Sequence, residues 1–389
     1  MASSSLPSPF SETTLGLISP TSIPPFKRDL YCWVCHVDGP LLKCKTCSRA
    51  YHRNCANQLG SLCHTAEALM DTESPSPHFM KGCPECQMGT KTIFPNMKQA
   101  PIQELRLICV AIARNLRDGY FWPNPFYKLD TEKSPKEFQE YKDIVAKVVD
   151  ISELEKLAGN DQFVTLEGFL GEAKWILHNT IIVHGKCSRE ADCAKEIIDI
   201  CELELLAAEL CPECFLKEHN REKDELWFIK PCLRHPHPLG WAKTPSNPNW
   251  PVKIMGWTPG SSSVTVRSFG DYQRFDIPPS KCYLYMKNPP KFDSHRGERG
   301  EDAKLAQKEA EQHVTELEKV MGKVRLPEKE CRLSSLGSLD NAIKFMFPEL
   351  ERIWCPNEDE EEDEEVDKNT PTSAPNNNLE RDDDVANNN

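Results

Sequence analysis

Residues 31–55 read YCWVCHVDGPLLKCKTCSRAYHRNC, and a related motif, CPEC, occupies residues 83–86. Seven cysteines and one of the two histidines in these stretches form four pairs, each with two residues between its members. A tight turn of this length brings two donor atoms to one metal ion, and four donors complete a tetrahedral zinc site. Two structural zinc sites are therefore predicted, and a fully protein-ligated site leaves no position for a catalytic water. The predicted ligands are Cys32, Cys35, Cys44, Cys47, His52, Cys55, Cys83 and Cys86.

The ligand order of four cysteines, one histidine and three cysteines resembles that of a PHD finger. The resemblance implies a cross-braced fold, in which the first and third pairs bind one zinc ion and the second and fourth pairs bind the other. It also implies binding of the histone H3 tail. We expect the short strand at Leu41–Lys43 to pair with the extended peptide by strand addition.

The chain has 389 residues and a formal charge of −13. Residues 357–389 hold 13 acidic and two basic side chains, so this tail carries most of the net charge. We expect the tail and the Ser/Pro-rich residues 1–29 to be disordered, because neither has enough apolar residues for a core. No apolar stretch predicts a membrane span, and no secretory signal is recognised. The cysteines are therefore expected to be reduced, in a cytosolic or nuclear protein.

Residues 100–210 are expected to form a bundle of four helices, because apolar residues recur in them at helical spacing. The Pro-rich FWPNPF at 121–126 predicts a long loop. This loop, VAKVVDISEL at 145–154 and TLEGFLGEAKWILHNTIIVHG at 165–185 together resemble a bromodomain, which implies an acetyl-lysine pocket. The implied pocket residues are Trp122, Pro125, Phe126, Tyr141, Val183 and His184.

Val183 and His184 stand at the positions where bromodomains have a tyrosine and an acetyl-binding asparagine. A neutral imidazole donates only one hydrogen bond, with a geometry that differs from that of an amide. We therefore predict a degenerate pocket with weak or absent acetyl-lysine binding.

A third zinc site, in a zinc knuckle over residues 211–238, is predicted where the helical segment ends. A CPEC motif there is followed by another cysteine and by several histidines. His219 and His235 are rivals of His237 for the fourth ligand position. The predicted ligands are Cys211, Cys214, Cys232 and His237.

Residues 239–325 are expected to form a small β-barrel with a trailing helix. Runs rich in β-branched and aromatic residues at 252–255, 263–267 and 283–285 predict its strands. The motifs GWAK, PNWPVK and VTVRSFG, between residues 240 and 270, resemble a PWWP domain. The resemblance implies a methyl-lysine cage of aromatic side chains and a basic surface for DNA.

The cage positions are Asn247, Trp250 and Ser268, of which only Trp250 is aromatic. Because cation–π contact is the means of recognising a methylated ammonium, we expect a degenerate cage. Residues 231–296 carry a local charge of +6, which favours DNA phosphates as ligands. The predicted DNA contacts are Lys243, Lys253, Arg267, Arg274, Lys281, Lys287 and Lys291.

The order of the modules is similar to the PHD–bromodomain–PWWP chromatin-reader cassette of the zinc-finger MYND-domain-containing family. We do not expect that family's C-terminal MYND finger, because residues 330–389 hold only Cys331 and Cys355. The resemblance implies a non-enzymatic nuclear protein that binds the histone H3 tail, nucleosomal DNA and coregulator proteins, and that regulates transcription as a corepressor. An alternative is an interaction scaffold with decayed pockets. A zinc-dependent ubiquitin ligase is disfavoured, because a RING finger has its histidine earlier in the ligand order.

The predicted fold class is multidomain α+β with three structural zinc ions. In chain order we expect a disordered segment (1–29), a PHD-type finger (30–90), a bromodomain-like bundle (100–210), a zinc knuckle (211–238), a PWWP domain with a C-terminal helix (239–325), a short helical extension (326–356) and an acidic disordered tail (357–389).

Overall fold

The computed structural model describes residues 26–59, 79–90, 97, 100–118, 135–244, 249–257, 262–288, 290 and 299–350. Two hydrophobic cores organise them. The first contains residues of both the N-terminal finger and the helical bundle, and the second joins a β-sheet to the C-terminal helices. The predicted α+β class is confirmed. In the described ranges no helix combines the length and the apolar character needed to cross a bilayer.

The finger is built on a three-stranded sheet in which β1 (Leu42–Cys44) is the central strand. β2 (Ala50–Tyr51) pairs with it antiparallel and β3 (Phe79–Met80) pairs with it parallel. Within β1, Lys43 is paired on both sides, whereas β3 does not pair with Leu42. Strand addition needs a free edge, so addition of a histone peptide at Leu41–Lys43 stays a prediction that Leu41 and Leu42 would have to carry. Two short helices complete the finger, α1 (Arg53–Leu59) and α2 (Pro84–Met88).

Three of the bundle helices begin at side-chain caps that satisfy a free backbone N–H. Asp150 accepts a hydrogen bond from the backbone of Glu153, and Thr165 and Ser188 cap the two longest helices in the same way. The helices pack by their apolar faces into the first core. The described part of the bundle has five helices where four were predicted, and in chain order they are α3 (Ile102–Asp118), α4 (Pro135–Ile144), α5 (Ile151–Gly159), α6 (Leu166–His184) and α7 (Arg189–Leu210).

After α8 (Pro212–His219), the chain forms a five-stranded antiparallel sheet in the order β7-β6-β5-β4-β8. Gly240 in β4 is required by close packing, since an added Cβ would lie 2.8 Å from the Tyr283 carbonyl oxygen. Among the described residues no pairing joins β7 to β8, so the sheet is open and the expected closed barrel is not shown. The strands are β4 (Leu239–Ala242), β5 (Trp250–Trp257), β6 (Val264–Ser268), β7 (Arg274–Ile277) and β8 (Cys282–Leu284).

Two helices follow the sheet and close the second core. The long helix α9 (Arg299–Met321) contributes Ala306, Ala310 and Leu317, which are fully buried. The segment after α9 returns to the sheet, where the backbone N–H of Leu284 donates to the Cys331 carbonyl (2.8 Å). The last described helix is α10 (Leu339–Met346).

Candidate metal centres and binding surfaces

The first metal cluster lies at the exposed end of the finger. Cys32, Cys35, His52 and Cys55 bring one donor atom each to within 4.8 Å of the others. The Cys35 sulfur is 3.2 Å from Nδ1 of His52, whose other ring nitrogen is 3.1 Å from the Asp38 carbonyl oxygen. A carbonyl partner on the far nitrogen fixes the tautomer that leaves Nδ1 free to bind metal.

The second cluster consists of Cys44, Cys47, Cys83 and Cys86, again within 4.8 Å of one another. Cys44 ends β1 and Cys83 immediately precedes α2, so the central strand and a helix start position the donors. The backbone N–H of Cys83 donates to the Cys44 sulfur (3.3 Å). The two clusters are cross-braced, because the first and third pairs meet at one site and the second and fourth pairs at the other.

The third cluster joins Cys211, Cys214, Cys232 and His237, all of them buried. In this cluster the sulfur of Cys214 lies 3.4 Å from Nε2 of His237. His219, which the sequence left open as the fourth ligand, is not part of the cluster, because its Nδ1 lies 2.9 Å from the Phe215 carbonyl oxygen.

Zinc fits all three donor sets. At a Zn–S distance of about 2.3 Å, ligands of a tetrahedral site are about 3.8 Å apart. Separations such as 3.2 Å for Cys35–His52 and 4.0 Å for Cys44–Cys86 are close to this value, and all donor atoms of each cluster lie within 4.8 Å of one another. The prediction of three clusters that can each hold a zinc ion is confirmed. Each has four protein ligands, which is the composition of a structural site.

Cations lie beside the anionic clusters. Lys217 Nζ is 3.8 Å from the Cys232 sulfur, and Arg49 Nη1 is 3.8 Å from the Cys47 sulfur. Lys253 is also near the third cluster, and burial lowers the pKa of its ammonium while the charge of Cys214 opposes that shift. A site with three thiolates and one imidazole around Zn²⁺ carries a net negative charge, which these cations offset.

The finger and the bundle meet at a buried contact built around Arg49. Its guanidinium packs against the rings of Trp33 (4.5 Å) and Trp175 (5.2 Å) and donates to the Gly171 carbonyl. Trp33 and Trp175 pack edge to face at 4.6 Å. The interface is therefore part of the first core, and it holds the two modules as one packed unit.

A histidine pair extends this interface. Nδ1 of His178 in α6 lies 2.7 Å from Nδ1 of His36, and its Nε2 lies 2.7 Å from a carboxylate oxygen of Asp29. Burial, together with the charge of His178, lowers the pKa of His36 to about 4. The two Nδ1 atoms can share one hydrogen bond, and the Asp29 carboxylate accepts at Nε2 of His178.

The predicted acetyl-lysine residues are only partly described, since Trp122, Pro125 and Phe126 lie outside the described residues. Val183 is half-buried and His184 is exposed at the last turn of α6. Tyr141 is hydrogen-bonded to Asn179, and burial raises its pKa to about 12.

Asn179 is fully buried and donates to the Lys147 carbonyl (2.8 Å). Its amide therefore ties α6 to the segment before α5, which agrees with the structural role that its helix position predicts.

At the predicted methyl-lysine positions, Trp250 and Ser268 are buried and Asn247 lies outside the described residues. The Trp250 indole N–H donates to the Phe269 carbonyl (2.7 Å). Trp250 also lines an open groove of about 830 Å³ between the sheet and α9, together with Asp271 and Glu309.

Two of the predicted DNA contacts cannot reach a phosphate. Lys253 is 1% exposed and donates to the Phe228 carbonyl. Arg267 is 3% exposed and forms a bidentate ion pair with Glu218, with one N–O distance of 2.7 Å. Arg274 is half-exposed but shares the same carboxylate. The assignments of Lys253 and Arg267 as DNA contacts are therefore corrected, because both faces of β5 and β6 are covered.

The remaining predicted contacts lie along β8. Lys243, Lys281 and Lys287 are exposed, and Lys291 lies outside the described residues. The Lys243 backbone donates to the Lys281 carbonyl (3.1 Å), so these two lysines flank the same strand end.

Sequence reasoning missed two further cations at this edge. Arg332 forms an antiparallel β-bridge with Tyr283 of β8, and its guanidinium lies 5.4 Å from the centre of the Tyr283 ring. Lys329 lies three residues earlier in the chain. No signal in the sequence indicated that this segment returns to β8. We name as the edge patch the exposed residues Lys243, Lys281, Lys287, Lys329 and Arg332.

Comparison with known proteins first identifies a class of module. The family model described as Bromodomain matches residues 112–196, which run from α3 into α7. This match and the metal clusters characterise a chain that combines a bromodomain with zinc-binding modules.

A particular relative is similar over a longer stretch. Over 300 residues the chain is 30% identical to the MYND-type zinc finger-containing chromatin reader Zmynd8 of Drosophila melanogaster. The aligned stretch is 76% of this chain but only 16% of the relative, so the chain spans a small part of that protein's length.

Proposed function

We propose that the protein is a non-enzymatic nuclear chromatin reader that binds histone tails and nucleosomal DNA and regulates transcription as a corepressor. The observation that carries the proposal is the similarity to a chromatin reader over 300 residues, which extends beyond the 112–196 bromodomain match. The three metal clusters support it, because their ligand sets are those of structural zinc sites. Membership of the zinc-finger MYND family, with PHD, knuckle and PWWP modules in the predicted ranges, is part of the proposal.

We infer that the histone pockets bind modified lysine weakly. His184 occupies the acetyl-binding position and is exposed at a helix end. At the cage, Ser268 is buried and its hydroxyl donates to Asp271, so this position offers no aromatic wall.

The edge patch is our proposed DNA-binding surface. Exposed lysine and arginine side chains on one strand edge suit a phosphate backbone, which is recognised by charge and not by sequence. If all five cations contact phosphates, the logarithm of affinity falls with that of the salt concentration at a slope of about −4.5.

The test is binding of the chain to mononucleosomes at graded salt, with a modified-histone peptide array in parallel. We expect the double variant Lys281→Ala/Arg332→Ala to lower nucleosome affinity and to reduce the salt slope by about 2. The matched control is Arg189→Ala/Lys195→Ala, which removes two exposed cations from α7. Equal affinity of the two double variants would remove the edge patch from the proposal, and no retention of the parent chain at low salt would remove DNA binding altogether.

The alternative is a protein-interaction scaffold without nucleosome affinity. The described residues favour it at one point, since pairing on both sides of Lys43 shortens the edge of β1 that a histone peptide could use. Retention of protein partners by a chain that ignores nucleosomes would support the scaffold.

A further inference from the structure

The cations of the edge patch differ from two exposed lysines of the same module, Lys304 and Lys319, in having no carboxylate partner. Lys304 pairs with Glu301 and Lys319 pairs with Glu316, each at 2.7 Å. Within the part of the chain that the structure describes, none of the five edge-patch cations forms an ion pair. The patch is therefore a concentration of positive charge that the described fold does not neutralise.

The segments that carry the patch, 239–243, 281–288 and 328–335, contain five cations and only two carboxylates, Glu328 and Glu330. Their net charge is +3. Clustered like charges raise the local potential and attract an anionic partner, most strongly at low salt.

The same chain contains a partner of matching charge. Residues 358–365 read EDEEEDEE, eight consecutive carboxylates, only eight positions beyond Leu350. Leu350 is the last described residue and is buried in the core that also contains Tyr283 and Leu333. The acidic run is thus tethered to the module that carries the patch.

The chain leaves this module at the end of the patch nearest Lys287. Leu350 lines a groove with Pro236, which lies three residues before β4 begins at Leu239. The Leu239 carbonyl accepts a hydrogen bond from the Tyr285 backbone (2.9 Å), and Lys287 follows two residues later. Eight residues of extended chain reach about 28 Å. A strand edge of the length from Lys281 to Lys287 measures about 20 Å.

We propose that the acidic run 358–365 binds the edge patch in cis and competes with nucleic acid for it. The inference rests on the proposed function, because it regulates the surface proposed there for DNA. A short flexible tether gives an effective concentration in the millimolar range. A contact with a dissociation constant of about 0.1 mM would then lower the apparent DNA affinity on the order of tenfold.

The first experiment measures binding of a labelled 20-bp DNA duplex by fluorescence anisotropy. It compares the full chain with a full-length variant in which residues 358–365 are changed from Glu to Gln and from Asp to Asn. We expect the neutralised chain to bind about tenfold more tightly at low salt, with a steeper salt slope, because its patch releases counterions to DNA without first releasing the tail. Equal affinities for the two chains would overturn the proposal.

A general effect of net charge is separated from a specific contact by a double-mutant cycle. In the Lys281→Ala/Arg332→Ala background, neutralising the run should improve DNA binding much less than in the parent. The same improvement in both backgrounds would contradict binding at this patch. Glu137→Gln/Glu140→Gln, on the exposed face of α4, is the control for carboxylates outside the tail.

A second measurement does not depend on DNA. A fluorescein-labelled peptide of residues 351–370 is titrated into the neutralised full chain. We expect salt-sensitive binding that Lys281→Ala/Arg332→Ala abolishes. If the peptide binds in this way but neither chain binds DNA, the proposed function fails and the cis contact stands. If the peptide does not bind, the cis contact is wrong whatever the DNA result.

Discussion

The two junctions of the bundle are built from different kinds of contact. Toward the finger, Arg49 packs against the contacting rings of Trp33 and Trp175, which belong to one continuous core. Toward the sheet, the second core stays separate, and charged side chains such as Arg267 and Glu218 make the connection beside the third metal cluster.

The difference predicts how the molecule comes apart. Modules that share a core lose apolar burial together, so their unfolding is coupled. Modules that meet through ion pairs and a metal site can separate when these few contacts fail. We therefore expect the finger and bundle to unfold as one unit and the sheet module as another.

The largest effect should come from removing a ligand of the second cluster. Structural zinc contributes about 10–16 kcal/mol to folding in small zinc domains. We expect Cys44→Ser to lose the zinc ion of that cluster and to lower the melting temperature of the bundle helices by about 10 °C or more, because the finger supplies part of their core.

Zinc analysis and circular dichroism at 222 nm provide the measurements for Cys44→Ser. Cys187→Ser is the control, since Cys187 is exposed and belongs to none of the three clusters. A bundle that melts at the parent temperature after loss of the finger's zinc would show that the shared core contributes little.

The next largest effect is expected at the centre of the first junction. Arg49→Ala removes a buried cation that pairs with Glu172 (3.5 Å) and packs against two indole rings. Breaking a buried ion pair from one side typically costs about 3–5 kcal/mol. Urea unfolding followed by tryptophan fluorescence measures the loss. Arg106→Ala, whose side chain is half exposed, should change stability by less than about 1 kcal/mol. Similar losses for both variants would contradict the role given to Arg49.

Local spacing made the metal ligands predictable from sequence. Each Cys-x-x-Cys pair meets its metal through a single turn, and the PHD resemblance supplied the pairing that the positions of the donor atoms show for Cys32, Cys44 and their partners. The strand at Leu42 was predictable too, but its pairing with β3 was not. β3 pairs with β1 from more than 30 residues away, and no local pattern encodes that pairing.

The basic residues show a second limit of sequence reasoning. Lys253 and Arg267 lie in strands whose residues are nearly all buried, because Phe228 and Trp227 pack against these two side chains and the valines and isoleucine of both strands belong to the second core. Alternation along a strand separates inside from outside only when one face is solvated. Arg332 was missed because its place beside β8 depends on a long-range backbone contact, which no local sequence pattern predicts.

The smallest effect is expected at the second junction. Glu218 accepts from Arg267 and Arg274, and although burial opposes it, the hydrogen bond and charge of Arg267 lower the pKa of Glu218. Glu218→Gln leaves the buried Arg267 without a carboxylate, at a cost of about 2 kcal/mol. This loss should be confined to the sheet module, so hydrogen exchange should quicken in β6 and β7 and stay unchanged in α6. Glu222→Gln, an exposed neighbour, serves as control. Faster exchange throughout the bundle would mean that the ion pairs couple the two units as tightly as the shared core does, and the contrast between the junctions would then be lost.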